Sequence, residues 1–200
     1  MKRVLRLLLL GVGLGGVFAQ YRLQGVVKIP QQPEVSTELR LSPGHLHYIM
    51  ETSFQGKPVQ MEFFFTPEKA YWIFPEEKRA YEVQPQRPYP QPVEKARLVE
   101  QLGTGVSKWE LIFPKQLRLV TVWDSTHAFD WSRWDRYLEE DRLGAAARHF
   151  RLGLPREIIQ YQADTLAWHF QVKDIQPYKS VSDQVPYPVT SESPIRLKGR

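Results

Sequence analysis

Asp124-Ser125-Thr126-His127 places the three residue types of a hydrolase triad within four positions. A serine nucleophile needs a rigid turn, a base within hydrogen-bond reach and an oxyanion hole beside it. No glycine-framed serine occurs in the chain. The segment therefore reads as a polar loop after a strand, and a hydrolase using Ser125 and His127 is the weakest of three functional readings. His45 and His47 stand two apart in a strand pattern, so their imidazoles share one face and could share a zinc ion. A site needs a third ligand, and Glu51 is the best available. A solvent-facing pair on an edge strand is expected instead. Glu139, Glu140 and Asp141 diverge by about 100° per residue on a helix. With Arg136 and Arg142 nearby they read as a solvated, salt-bridged face rather than a carboxylate pair. There is no Walker loop, dinucleotide fingerprint or paired-cysteine motif, and Gly11-Val12-Gly13 lies in the N-terminal leader. The expectation is no cofactor, no metal and no enzyme.

Aromatic side chains are the more informative group. Tyr48, Phe54, Phe63, Phe65, Tyr71, Trp72, Phe74 and Tyr81 crowd one stretch, and Phe63, Phe64 and Phe65 are consecutive. Successive strand residues point to opposite faces, so aromatics must lie on both sides of whatever sheet they build. Such a surface is either covered by helices and loops or left open for a ligand or partner.

The elements that position them follow from periodicity. Apolar residues alternate with polar ones from Tyr21 to Ile29, with Gly25 as a bulge, and again from Val35 to Leu41. Strands are expected over His45 to Phe54, Val59 to Thr66, Ala70 to Phe74 and Ala80 to Val83. Turns at Ser42-Pro43-Gly44, Gln55-Gly56-Lys57-Pro58 and Pro67-Glu68-Lys69 make this an antiparallel meander. Pro85 to Pro92 is a stiff connector. Ala96, Val99 and Leu102 fall at helical spacing, so Val93 to Leu102 is expected as a helix stopped by Gly103. Strands return at Trp109–Phe113 and Leu117–Trp123. A helix capped by Asp130 is expected over Trp131 to Phe150, and a last hairpin over Ile158–Gln162 and Leu166–Ile175, turning at Ala163-Asp164. The fold class expected is α+β, mainly β: a curved antiparallel half-barrel covered by one or two helices.

Lys2, Arg3 and Arg6, the apolar run Val4 to Leu10 and the small-residue end at Ala19 form a secretory leader, with cleavage expected before Gln20. Arg6 and the glycines at 11, 13, 15 and 16 interrupt what would otherwise be a membrane anchor. Residues 1–19 are thus expected as a signal peptide, 20–176 as one domain and 177–200 as an extended tail. The protein is expected in the periplasm or outside the cell, with no transmembrane segment after cleavage. Three of the 27 basic residues lie in the leader, leaving 24 against 22 acids. So near a balance argues against nucleic acid as a partner. The chain has no cysteine, so neither disulfides nor thiol-linked lipid can hold it.

Three passages resemble the superfamily of periplasmic lipoprotein carriers of the LolA/LolB type and its uncharacterised secreted relatives. They are Glu62–Ile73 with Lys78–Val83, Leu119–Trp123, and Gly153-Leu154-Pro155-Arg156-Glu157-Ile158 with the hairpin running to Ile175. Relatives finish on an aspartate, an aromatic and a proline before a glycine; Asp183 to Pro188 approximates this, and no glycine follows directly. The resemblance implies a half-closed antiparallel barrel, helices over its open side and an apolar cavity. It also implies a function: binding or carrying a lipid acyl chain or lipoprotein in the envelope. The residues expected to line that cavity are Leu39, Tyr48, Met50, Phe63, Phe65, Tyr71 and Ile73, with Trp131 and Trp134 near a lid. The alternative is a structural or interaction module that docks an envelope protein.

Overall fold

Alternating burial turns the first third of the chain into paired strands. In β1 (Tyr21–Lys28) and β2 (Val35–Leu41), Leu23, Val27, Thr37, Leu39 and Leu41 are buried while their neighbours are more accessible. The meander continues through β3 (Leu46–Phe54), β4 (Lys57–Phe65), β5 (Ala70–Phe74) and β6 (Arg79–Val83). It resumes with β7 (Arg97–Gly103), β8 (Val106–Phe113) and β9 (Leu117–Asp124), then helix α1 (Arg142–Phe150), β10 (Leu154–Gln162), β11 (Thr165–Pro177) and β12 (Val189–Thr190). This computed structural model describes residues 20–54, 56–83, 89–134, 142–179 and 184–190. The leader and the acidic run 139–141 lie outside them.

All twelve strands form one curved sheet in the order β12-β6-β5-β4-β3-β2-β1-β11-β10-β9-β8-β7. Every pairing is antiparallel except that of β12 with β6, where Val189 and Thr190 run parallel to Ala80 and Tyr81. The fold is α+β, mainly β, as expected. Gly25 sits at a register shift between β1 and β11, and a Cβ there would lie 2.4 Å from the Gln171 carbonyl oxygen. The bulge thus needs a residue without a side chain. Gly153, at φ 105°, brings the chain so close to Asp124 and Trp123 that a Cβ would meet both within 2.7 Å.

One expected helix is corrected and a second is corrected at its start, residues 135–141 lying outside the described ones. Val93–Leu102 is not helical: Arg97–Gly103 is β7, hydrogen-bonded to β8 with register shifts at Leu98/Glu100 and Gln101/Gly103. Each bulge inserts an extra residue, so side chains three apart return to one side and imitate helical spacing. Between Trp131 and Phe150 the described helix is only Arg142–Phe150. Asp130 does cap, accepting the Ser132 amide at 2.9 Å, but it starts a 3-10 turn over Ser132–Trp134.

Register fixes two faces. The inner face of the curve carries Leu23, Leu39, Leu41, Leu111, Phe113, Leu119, Ile158 and Phe170, all buried in one core. Over the β8–β11 half of the curve lie α1, with Ala145, Ala146 and Ala147 almost fully buried, and the segment holding Phe129, Trp131 and Trp134. A second core lies on the outer face, where Val185 and Tyr187 pack on Phe64, Tyr71, Ile73 and Ala80. The tail is therefore docked along the sheet and contributes a strand.

Candidate functional site

Rows of cross-strand neighbours build the inner wall of β3–β6. One row runs Tyr81–Trp72–Phe63–Tyr48–Leu39; the next joins Met61 and Met50 to Thr37 and ends on Phe74 and Arg79. The rings stack along it: Phe63 lies 5.7 Å from Trp72 with planes 15° apart, and Trp72 lies 4.9 Å from Phe74. Phe63 also stacks on Phe65 at 6.5 Å, and Phe74 meets Tyr81 edge-on at 5.4 Å. Tyr48, Met50, Met61, Phe63, Phe65, Trp72 and Phe74 are all only half-buried. The other half of the same face is close-packed, with Leu111, Leu119, Trp131, Trp134 and Ile158 fully buried. The molecule thus has one packed half and one half-open aromatic wall. Charge on this stretch of wall is confined to its rim, at exposed Lys57 and Arg79.

Of the nine residues expected to line a cavity, Leu39, Tyr48, Met50, Phe63 and Phe65 share this wall. Tyr71 and Ile73 do not. Phe65 pairs with Ala70 across the turn, so parity carries Trp72 and Phe74 inward and sends Tyr71 and Ile73 to the outer face under Val185 and Tyr187. Trp131 and Trp134 are fully buried in the cover of the packed half. Trp131 Nε1 donates to the Gly153 carbonyl at 2.8 Å. Met61, Trp72 and Phe74 belong to the wall and were missed as lining residues; counting parity through the Thr66–Lys69 turn would have found them.

Two buried donors on this wall lack acceptors among the described residues: Trp72 Nε1 and Thr37 Oγ1. Trp134 Nε1, in the cover, is a third. Buried polar groups are nearly always satisfied, so these positions are where an acceptor is wanted.

The polar motifs resolve into structural pairs. Asp124, 1% exposed, accepts from Thr126 N at 2.9 Å and from Arg156 Nε and Nη2 at 2.8 and 2.6 Å, with His127 Nδ1 3.2 Å away. Burial alone would raise its pKa, but the hydrogen bonds from Thr126 and Arg156 outweigh it and lower the carboxyl to about 2. Ser125 Oγ donates instead to the Gly105 carbonyl at 2.9 Å. The hydroxyl is thus engaged away from His127, which faces Asp124 and the Tyr21 ring. His45 and His47 do share a face, but both are buried and β3 is an interior strand, which corrects the solvent-facing expectation. Both flank the Phe64 ring; His47 Nε2 pairs with Glu62 at 2.7 Å, not with Glu51. No cluster of three metal-ligating side chains occurs among the described residues.

A polar groove of about 330 Å³ lies on the outer face, lined by Gln24, Glu38, Arg40, Glu51 and Gln60 among others. Its central carboxylate is engaged: Glu38 accepts from Arg40 at 2.5 Å and Gln24 at 3.3 Å. These bonds hold its pKa below the usual range against the opposing effect of burial.

No protein-family model matches the chain, and no curated protein matches it. Among solved structures, an uncharacterized conserved protein from Thermus thermophilus is similar at a TM-score of 0.57 and 8% identity, covering 88% of this chain and 92% of that one. A LolA superfamily protein from Nitrosomonas europaea overlaps at a TM-score of 0.35 and 9% identity, over 82% of this chain and 87% of that one. At 8% identity the likeness to the Thermus protein is one of fold.

Proposed function

We propose that this protein is an exported, non-enzymatic binder or carrier of an apolar ligand, an acyl chain of a lipid or lipoprotein, held against the inner wall of β3–β6. One observation carries the reading: a continuous aromatic and methionine surface stays half-open on the same face whose other half is packed shut. Each methylene laid against it contributes about 0.8 kcal/mol, so a long chain binds there without a charged contact. Export rests on the leader pattern of residues 1–19. Fluorescent fatty-acid displacement on the purified mature chain should give saturable binding; its absence would refute the proposal. Native mass spectrometry of protein taken from its own envelope should release a lipid.

A second reading, an interaction module for an envelope protein, is favoured by β7. Every residue of this edge strand is exposed, with Leu98 at 49%, Val99 at 49% and Leu102 at 47%. Exposed edges pair readily with a further strand. Val99→Lys should abolish pull-down of such a partner while leaving fatty-acid displacement unchanged.

A further inference from the structure

We infer that Trp72 selects the polar group of the ligand: its indole N–H receives a neutral carbonyl, the ester or amide through which an acyl chain is attached. The inference rests on the apolar-ligand reading above. Trp72 Nε1 is inaccessible to solvent and has no acceptor among the described residues. Its ring packs against the half-buried rings of Phe63 and Phe74.

The wall's charge pattern decides what kind of acceptor fits. Around Trp72 the inward side chains are Met61, Phe63, Phe65, Ala70, Phe74, Tyr81 and Val83, with exposed Arg79 at the rim, and the Tyr81 hydroxyl already donates to Glu77 at 2.9 Å. An ionised carboxylate or phosphate at the buried N–H would lose its hydration while the nearest cation, Arg79, stays out at the solvated rim, whereas an ester or amide carbonyl needs only one donor. Thr37, 5% exposed and also without an acceptor, offers a second donor on the same wall. It lies three strands away, about 15 Å at ordinary sheet spacing. Met50 and Met61 lie between the two, and their flexible side chains suit a hydrocarbon segment. Donors separated by hydrocarbon-compatible surface match an acyl chain with a carbonyl, not a plain alkane.

Competition against the uncharged fluorophore N-phenyl-1-naphthylamine tests this with chain-matched probes: monolauroylglycerol, laurate at pH 8 and dodecane. One hydrogen bond to an otherwise unsatisfied donor predicts that the ester competes about threefold to tenfold better than dodecane. Trp72→Phe should erase that advantage and leave dodecane unchanged. In the unmodified protein, the Trp72 indole N–H resonance should move downfield with monolauroylglycerol and not with dodecane. This measurement decides the matter should the variant fail to fold. An ester advantage that survives in Trp72→Phe, an unmoved resonance, or laurate outcompeting the ester would overturn the inference while leaving apolar binding intact. If neither the fluorophore nor any probe binds, the apolar-ligand reading falls first.

Discussion

Asp124 shows how a polar motif can be legible as chemistry and yet serve structure. Buried under Gly153 and tied to Arg156 and Thr126, it joins β9, β10 and the loop after β9. Its folded pKa, about 2, is below the unfolded value of 3.8. Its contribution is therefore fully present above pH 4 and lost as the pH falls through 2. The shift corresponds to about 2 kcal/mol. Urea denaturation from pH 5 to 2 should show that loss in the wild type and a flatter profile in Asp124→Asn, which starts less stable at pH 7. The buried His47–Glu62 pair predicts a different pattern. His47→Leu alone strands a buried carboxylate and should cost about 3 kcal/mol, whereas His47→Leu with Glu62→Leu should cost less. A double-mutant cycle by chemical denaturation checks it; additive losses would count against it.

Turns make the clearest predictions among the elements. Ala163 and Asp164 form the two-residue turn of the β10–β11 hairpin, both at positive φ, 48° and 62°. Alanine is strained there, so Ala163→Gly should raise stability by about 0.5–1 kcal/mol, read as a higher denaturation midpoint. Gly25→Ala should do the reverse, costing about 2 kcal/mol, because the new methyl meets the Gln171 carbonyl in a tightly paired sheet. Both positions were legible: Gly25 is a glycine in the middle of a run that alternates from Tyr21 to Ile29, and Ala163-Asp164 separates two runs of strand formers. The meander from Tyr21 to Val83 was equally readable, since one buried face imposes a period of two. What misled was β7. Its bulges turn that period into three, and an edge strand that buries none of its residues leaves no alternation to correct the impression. The wall was half-legible for a related reason. Aromatic residues announce a surface, but which face each takes depends on the loop length before β5, and one residue there exchanges Tyr71 and Ile73 for Trp72 and Phe74.

At the scale of the whole molecule, the C-terminal segment couples distant strands. Tyr178 donates its amide to the Gln20 carbonyl beside β1, and ten residues on Pro188 accepts from the Ala80 amide at β6. Truncation after Tyr178 should uncover Phe64, Tyr71, Ile73 and Ala80, costing about 3 kcal/mol for the lost cover of Val185 and Tyr187. Increased binding of a hydrophobic dye and faster proteolysis of β5–β6 would register it; unchanged dye binding would sink the assignment. Pro177 and Val189 sit seven strand spacings apart around the outside of the curve, an arc of about 34 Å. Val185 and Tyr187 thus back the aromatic wall from its convex side, whether or not anything rests against its front.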